Sequence, residues 1–175
     1  MIIEEELSCV ARVQAGEREA LNALWDSITP KLYGYLLNVA RDSRLAEDFL
    51  QETWLKAITN LARFQARGVR FSAWLFAIAR NVCREHWRKS RREVPIEELE
   101  ERPINSVTNG RSMEEKLLVD MMLPKISEED REILRLRFIA DLSYKEIACV
   151  MEISTVAARV RIHRAIGRAR AILIQ

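Results

Sequence analysis

Apolar residues recur every three or four positions along most of the chain. Over 17–40 the recurrence is clearest, at Leu21, Leu24, Trp25, Ile28, Leu32, Tyr35, Leu36 and Val39. This spacing matches the turn of an α-helix and predicts a helix with one buried face. Pro30 lies inside the run, where a proline either kinks a helix or ends its first part.

The same periodicity predicts a mostly helical protein. Expected helices cover 4–14, 17–40, 44–62, 71–91, 113–123, 128–139, 143–151 and 155–172. Short polar residues suited to N-capping precede or open several of them: Asp42, Ser72, Ser127, Ser143 and Ser154. Glycine (5) and proline (4) are both scarce, which leaves few positions for turns and supports an all-α fold.

Residues 93–112 interrupt the helical pattern. This stretch contains Pro95, Pro103 and Gly110, four glutamates within 97–101, and no periodic apolar face. Such a composition is typical of a linker. We therefore predict two small all-α domains, at 1–92 and 113–175, joined by a flexible acidic linker.

The composition is that of a soluble globular protein, with 49% hydrophobic and 31% charged residues. No apolar run approaches the roughly 18 residues of a membrane span, and the acidic start does not resemble a signal peptide. A cytoplasmic location is expected. The three cysteines, Cys9, Cys83 and Cys149, are far apart and are interpreted as small buried hydrophobes.

No constellation of residues predicts catalysis, a metal site or a bound cofactor. The two histidines, His86 and His163, lie among arginines without a carboxylate or cysteine at ligand spacing. A glycine-rich phosphate loop is also missing from the sequence. We therefore do not expect an enzyme or a small-molecule substrate.

Charge is distributed very unevenly, although the net charge is only +2. Residues 63–92 contain 9 basic and 1 acidic residue, and residues 154–175 contain 5 basic and no acidic residues. The intervening stretches are acidic. Two basic segments of this kind predict two contacts with a polyanion, with two solvated helix faces as the alternative.

The two last predicted helices, 143–151 and 155–172, have the arrangement of a helix-turn-helix. The first opens with Tyr144 and Lys145 after a capping serine. In the second, one face is apolar, and the other carries Arg159, Val160, His163, Arg164 and Arg168. A major groove accepts a helix of this kind, so we predict duplex DNA binding. The alternative is an ordinary helical hairpin with a basic surface.

The helix at 71–91 has two contrasting sides. Phe71, Trp74, Leu75, Ile78 and Val82 line the side expected to be core. The opposite side carries Arg80, Arg84, Trp87 and Arg91, with Phe76 nearby. Aromatic rings among arginines suit unstacked bases. For Phe76 and Trp87, burial in the core and contact with bases are both open.

A polar face on the helix at 44–62 carries Asp48, Gln51, Glu52 and Leu55. It is either a docking surface or a solvated face, and its composition alone favours the solvated face.

Three stretches together resemble the small, two-domain extracytoplasmic-function (ECF) group of bacterial sigma factors. AEDFLQETW (46–54) resembles the group's core-polymerase-binding helix. FSAWLFAIARNVC (71–83), continuing to residue 92, resembles its −10-recognition helix. LSYKEIA (142–148), followed by RIHRA (161–165), resembles its −35-binding helix-turn-helix.

The resemblance implies an alternative sigma factor that binds core RNA polymerase, directs it to promoters and helps to melt the −10 region. It places Asp48, Gln51, Glu52 and Leu55 against the clamp helices of the largest polymerase subunit. It implies −10 contacts, duplex or melted, by Phe64, Arg67, Arg70, Arg80, Asn81, Arg84, Trp87, Arg88 and Arg91. It implies −35 contacts by Tyr144, Lys145, Arg159, Val160, His163, Arg164 and Arg168. An anti-sigma factor is a further expected partner.

The helix-turn-helix departs from the group's usual pattern at three places. Glu152 stands where glycine is usual, and it lacks glycine's ease at positive φ. Val156-Ala157-Ala158 replaces Gly-Thr-Val, and Val160 replaces a small polar residue.

Two other functions are alternatives to a sigma factor. One is a helix-turn-helix repressor or activator that binds duplex DNA alone, and the other is a protein-interaction module without DNA binding.

Overall fold

The computed structural model describes residues 3–66, 68–93 and 126–173, without the side chains of 91–93 and 173. Regular structure in these residues is entirely helical, which confirms the predicted all-α class. The elements are α1 (Ile3–Gln14), α2 (Arg18–Ala40), α3 (Ser43–Asn60), a 3₁₀ turn (Leu61–Arg63), α4 (Phe71–Glu93), α5 (Glu128–Phe138), α6 (Tyr144–Met151) and α7 (Thr155–Leu173).

Some sequence predictions lie outside the described residues. They are the linker beyond Glu93, the helix at 113–123, and the site residue Arg67. The side chain of Arg91 is also outside them.

The predicted N-caps are confirmed at four of five helices. Asp42 accepts a hydrogen bond from the backbone N–H of Leu45, and Ser127, Ser143 and Ser154 accept equivalent bonds three residues ahead. These caps satisfy backbone donors that a helix start leaves unpaired.

The predicted cap at Ser72 is wrong. Helix α4 begins at Phe71, so Ser72 lies inside its first turn. The backbone N–H and hydroxyl of Ser72 both donate to the carboxylate of Glu6 in α1, at 2.8 and 3.0 Å. Burial raises the pKa of Glu6, against the opposing effect of these two hydrogen bonds. The start of α4 is thus satisfied by a distant helix.

Helix α2 runs unbroken through Pro30, so the proline does not end it. Ile28 and Leu32 are buried on either side of the proline, and α2 packs against α1, α3 and α4. Burial of both segments favours one continuous helix over a break.

Helices α1 to α4 form an N-terminal unit around an aromatic core. Its largest fully buried side chains include Tyr35, Trp54, Phe71 and Phe76. Phe76 is only 1% exposed, and it packs edge-on against Tyr35 with ring centroids 5.4 Å apart. Phe76 is therefore a core residue and is not available to contact a base.

Helices α5 to α7 form a smaller C-terminal unit. Its buried apolar residues include Ile133, Leu136, Leu142, Ile147, Val150, Ala158, Ile162 and Ala165. The inward face of α7 is the apolar face that its periodicity predicted.

The two units pack against each other, with α4 against α6 and α2 against α5. Tyr35 donates a 2.7 Å hydrogen bond to Glu132, and Arg135 donates one of 2.7 Å to Asn38. The contact joins the basic 63–92 segment to the acidic stretch that precedes α7. Opposite charges over these two surfaces favour their association.

The cysteines differ from one another. Cys83 is buried, and burial raises the pKa of its thiol to about 12, so the thiol stays protonated. Cys9 is half-buried, but Cys149 is exposed, so the prediction of burial is wrong there. On α6 the neighbours Ile147, Ala148 and Val150 face inward and leave Cys149 outside.

Candidate polymerase and nucleic-acid interfaces

The outward face of α3 carries the four residues predicted to bind core polymerase. Asp48, Gln51, Glu52 and Leu55 are all exposed, and Leu55 is 66% exposed. The opposite face of α3 is buried and holds it against the core. Helical periodicity therefore brings these four side chains together, as the sequence predicted.

Ile58 extends this face, and the sequence reasoning missed it. It is 45% exposed and lies one turn beyond Leu55 on the same helix. The three-residue spacing from Leu55 was the available signal. Two exposed branched apolar residues beside acidic ones make a surface suited to a protein partner. We call Asp48, Gln51, Glu52, Leu55 and Ile58 the α3 face.

Glu52 is also part of an ion-pair chain that links α3 to α4. Its carboxylate lies 2.9 Å from the ammonium of Lys56, which in turn lies 2.9 Å from Glu85. All three side chains are well exposed, so the chain orients them without adding much stability.

A groove of about 560 Å³ runs between α3 and α4. It is lined by Lys56, Asn60, Arg63, Trp74, Ile78, Asn81 and Glu85. Asn81 belongs to the predicted −10 set, whereas the other six were not among the predicted site residues. Trp74 was expected in the core, and it is half-buried, with one side on the core and one on the groove.

The chemistry of the groove suits a nucleobase. Trp74 offers an aromatic face, and Asn81 offers an amide that both donates and accepts. Arg63 adds positive charge, whereas Lys56 is paired with Glu85 of the same lining. Phe64 supports this wall from behind, because its ring contacts those of Phe71 and Trp74 at 5.4 and 5.1 Å. Phe64 is thus a half-buried anchor of the loop at 64–70.

The remaining exposed residues of the predicted −10 set lie along α4. Arg84, Trp87 and Arg88 are exposed. Trp87 is 38% exposed, and its ring packs edge-on against His86 at 5.0 Å. His86 packs in turn against Phe49 at 5.1 Å. Trp87 is therefore held in place while a part of its surface stays open.

Two other members of the −10 set are engaged with the C-terminal unit. Arg70 donates two hydrogen bonds to the carboxylate of Glu146, at 2.6 and 2.9 Å. Arg80 lies 3.5 Å from Glu132. Both arginine side chains are only 18% exposed.

The Arg70–Glu146 pair shifts the pKa values of both partners. Burial by itself raises the pKa of Glu146, but hydrogen bonds from Arg70 and Ser143 lower it to about 2. The hydrogen bond to Glu146 raises the pKa of Arg70. The pair is thus ionised throughout the physiological range.

The α6–α7 pair has the geometry of a helix-turn-helix. Glu152 ends α6 in the left-handed region at φ 56°, where the sequence departs from the usual glycine. Ser154 then caps α7 by accepting from the N–H of Ala157 at 3.1 Å. Arg159, Val160, His163 and Arg164 are all exposed on the outward face of α7, as predicted.

The other predicted −35 residues lie around this face. Arg168 is held by Asp130 of α5 through both oxygens of the carboxylate. Two guanidinium groups contact the ring of Tyr144, that of Arg137 at 5.5 Å and that of Arg159 at 5.6 Å from the ring centroid. These are cation–π distances, so Tyr144 positions Arg159. Arg137 was not predicted.

Lys145 points towards the N-terminal unit. A Cβ built on Gly68 would lie 2.7 Å from its ammonium, so Gly68 leaves the room that Lys145 occupies. Gly68 also has φ 71°, a conformation that glycine adopts easily.

Neither membrane-spanning nor metal-binding features occur in the part of the chain that the structure describes. Within it, no helix combines the length and the apolar character needed to cross a bilayer. The same residues contain no cluster of three or more histidine, cysteine or acidic side chains that could hold a metal ion.

Comparison with known families matches both units. Residues 24–93 match sigma-70 region 2, and residues 116–168 match sigma-70 region 4. The first match includes α3 and α4, and the second includes α5, α6 and most of α7.

Named relatives cover most of the chain. One is the ECF RNA polymerase sigma factor BldN of Streptomyces coelicolor, 32% identical over 83% of this chain and 57% of BldN. The chain thus spans less than two thirds of BldN. Another is the ECF RNA polymerase sigma factor SigM of Bacillus subtilis, 30% identical over 81% of this chain and 87% of SigM.

The fold also matches a solved structure, that of CnrH in complex with the cytosolic domain of CnrY. The TM-score is 0.73 at 24% identity, and the match covers 97% of each chain. This similarity concerns the fold.

Proposed function

Since the chain belongs to the ECF group of RNA polymerase sigma factors, we propose how its surfaces divide the work of an alternative sigma factor. Such a factor directs RNA polymerase to specific promoters. The proposal concerns which residues bind the polymerase, which bind each promoter element, and which help to melt the DNA.

The α3 face is the proposed docking surface for the clamp helices of the largest polymerase subunit. Its acidic residues can pair with basic groups of the partner, while Leu55 and Ile58 supply apolar area. Both apolar side chains are exposed at 66% and 45%, so docking would remove them from water.

The groove between α3 and α4 is the proposed site for a base flipped from the non-template strand. Asn81 and Trp74 line it, and Arg84, Trp87 and Arg88 continue the surface along α4. Unstacking a base costs a few kcal/mol, and stacking on an aromatic ring recovers roughly 1–3 kcal/mol. Capture of unpaired bases here would favour the melted −10 region.

The outward face of α7 is the proposed reader of the −35 element. Arg159 and Arg164 can each pair bidentately with guanine in the major groove. Tyr144 keeps Arg159 in position, at 5.6 Å from its ring.

The protein works, in this proposal, where core polymerase and the chromosome are found, in the cytoplasm, and has no catalytic activity of its own. An anti-sigma factor is a further proposed partner. The sigma factor RpoE of Bartonella quintana, a structural relative, was solved in complex with the anti-sigma factor NepR.

The observation that carries the proposal is the presence of three separate surfaces of matching chemistry on one chain: the α3 face, the groove and the outward face of α7. Run-off transcription with core polymerase, on duplex templates and on templates with a mismatched −10 region, tests it. Asn81→Ala and Trp87→Ala should slow transcription from duplex templates and recover on the mismatched ones, because the unstacking cost is then already met.

One further variant completes this experiment. Arg159→Ala should be impaired on both templates, since it acts upstream of the melted region. Rescue of both classes by the mismatch, or of neither, would contradict the division of labour.

Polymerase docking is tested by pull-down of core polymerase. Asp48→Arg combined with Glu52→Arg should abolish core binding and keep the fold, because exposed charge changes cost little stability. Glu4→Arg with Glu19→Arg makes the same charge change on exposed positions of α1 and α2 and should bind normally. Unchanged binding by the α3 variant would refute the assignment.

A further inference from the structure

Two valines occupy the centre of the outward face of α7. Val156 is 72% exposed and Val160 is 41% exposed. At 100° per residue, both point within about 20° of the direction opposite the buried Ala158. Arg159 and His163 lie on one side of this pair, and Arg164 lies on the other.

The helix-turn-helix fold does not explain these valines. Neither packs into the core, and β-branched residues are weaker helix formers than the alanines used elsewhere in α7. Exposed apolar side chains at the centre of a basic face fit a partner that is apolar at its middle and anionic at its margins.

In the major groove of DNA, only thymine supplies an apolar group between the anionic margins of the groove. Each thymine presents a C5-methyl group there, while phosphates line both edges of the groove. Val156 and Val160 are one turn apart, about 6 Å along the helix, which is close to two base steps of about 3.4 Å.

We propose that Val156 and Val160 are specificity-determining residues that read thymine C5-methyl groups in the −35 element, with the two thymines at most two base steps apart. The inference rests on the proposed function, in which α7 enters the −35 major groove. The flanking Arg159 and Arg164 then anchor the helix to guanine or phosphate, and the valines favour thymine over bases without the methyl group.

The experiment replaces each thymine by deoxyuridine, which removes only the methyl group. Duplexes bound by the full-length chain are first selected from a random library, and the dissociation constants of the thymine and deoxyuridine versions are then compared. We expect about fourfold weaker binding at each of two positions, the factor for losing one buried methyl-sized group. Val160→Ala should abolish the response at one position and Val156→Ala at the other.

Two control variants separate methyl recognition from other effects. Arg164→Ala should weaken binding to thymine and deoxyuridine duplexes equally and keep their ratio. Phe138→Ala truncates an apolar side chain of α5 that is 64% exposed and should leave the ratio unchanged. Both valine variants should fold, because alanine at an exposed helix position favours the helix.

The outcomes distinguish this inference from the proposed function. If the chain selects no duplex, −35 binding by α7 fails, and the inference fails with it. If it selects a duplex but is insensitive to deoxyuridine, the proposed function stands and methyl recognition is refuted. Equal loss of affinity for both duplexes in Val156→Ala and Val160→Ala would also refute it.

Discussion

Arg70 and Glu146 form a bidentate pair across the contact between the two units, although 76 residues separate them in the sequence. Glu146 also accepts a 2.8 Å hydrogen bond from the backbone N–H of Ser143, which completes the capping box of α6. The carboxylate of Glu146 thus caps the start of α6 and also binds Arg70, which is predicted to bind −10 DNA. A phosphate and Glu146 would compete for the same guanidinium.

Loosening the contact between the units should strengthen binding to single-stranded −10 DNA. Glu132 accepts from Tyr35 and pairs with Arg80, so Glu132→Gln weakens two links at once. We expect the free chain to bind single-stranded DNA about tenfold more tightly, since a hydrogen bond to a charged group contributes about 1.5 kcal/mol and about 1.4 kcal/mol corresponds to a factor of ten. Fluorescence anisotropy with a labelled oligonucleotide measures this.

The control for this prediction is Glu129→Gln, which makes the same change at an exposed position of α5. Its affinity should match that of the parent chain. An equal gain in both variants would show that lost negative charge, rather than loosened packing, is responsible.

Stability should fall in acid because of Glu146. Its pKa is about 2 in the folded protein and 4.5 ordinarily, so the carboxylate stabilises the fold fully above pH 4.5. The contribution, about 3 kcal/mol by proton linkage, is lost as pH falls from 4.5 towards 2. Urea unfolding between pH 7 and pH 2.5 measures how the free energy of unfolding changes with pH.

Arg70→Gln should make the free energy of unfolding less dependent on pH below 4.5, because the pKa of Glu146 then returns towards its ordinary value. Arg12→Gln breaks an exposed ion pair with Glu17 and serves as the control with an unchanged slope. The same acid slope in Arg70→Gln and the parent would contradict the role of the pair.

Tyr144 should matter for −35 affinity through its ring. Tyr144→Phe keeps the cation–π contact with Arg159, whereas Tyr144→Ala removes it. We expect a loss of affinity for −35 duplex of about two- to fivefold in the alanine variant only, corresponding to about 0.5–1 kcal/mol. If phenylalanine is as damaging as alanine, the hydroxyl and not the ring is the important group.

Glu152→Gly should raise the free energy of unfolding by about 0.5–1 kcal/mol. Glu152 has φ 56°, and the left-handed conformation costs a residue with a Cβ about 1–2 kcal/mol, part of which glycine regains. Glu47→Gly makes the same substitution at an exposed position inside α3 and should instead destabilise by about 1 kcal/mol. Thermal denaturation of both variants would show opposite signs if this reasoning holds.

Local features of the fold could be predicted from the sequence because they depend on neighbouring residues. The three- and four-residue apolar spacing locates α2 to α7, and the caps at Asp42, Ser127 and Ser143 act over three residues. The positive φ at Glu152 was indicated by the family resemblance, in which glycine is usual at this position. The α3 face follows from the same periodicity.

Other features were decided only by tertiary packing. The carboxylate that satisfies Ser72 comes from Glu6, 66 residues earlier, and no local pattern connects the two. Phe76 lies between the apolar and the basic face of α4, so periodicity did not decide whether it is buried. Its packing against Tyr35 of α2 shows that it belongs to the core. Trp74 is likewise divided between the core and the groove.

The contact between the two units is the largest feature that tertiary packing alone decided. Periodicity and composition identify each helix and each charged stretch, but they carry no information on which acidic group faces which arginine. Across this contact, Arg70 pairs with Glu146 and Arg80 pairs with Glu132 because helix packing brings their backbones within reach. Arg168 pairs with Asp130 within the C-terminal unit for the same reason. Side-chain partners over such distances depend on the three-dimensional arrangement, whereas the helices that carry them depend mainly on local sequence.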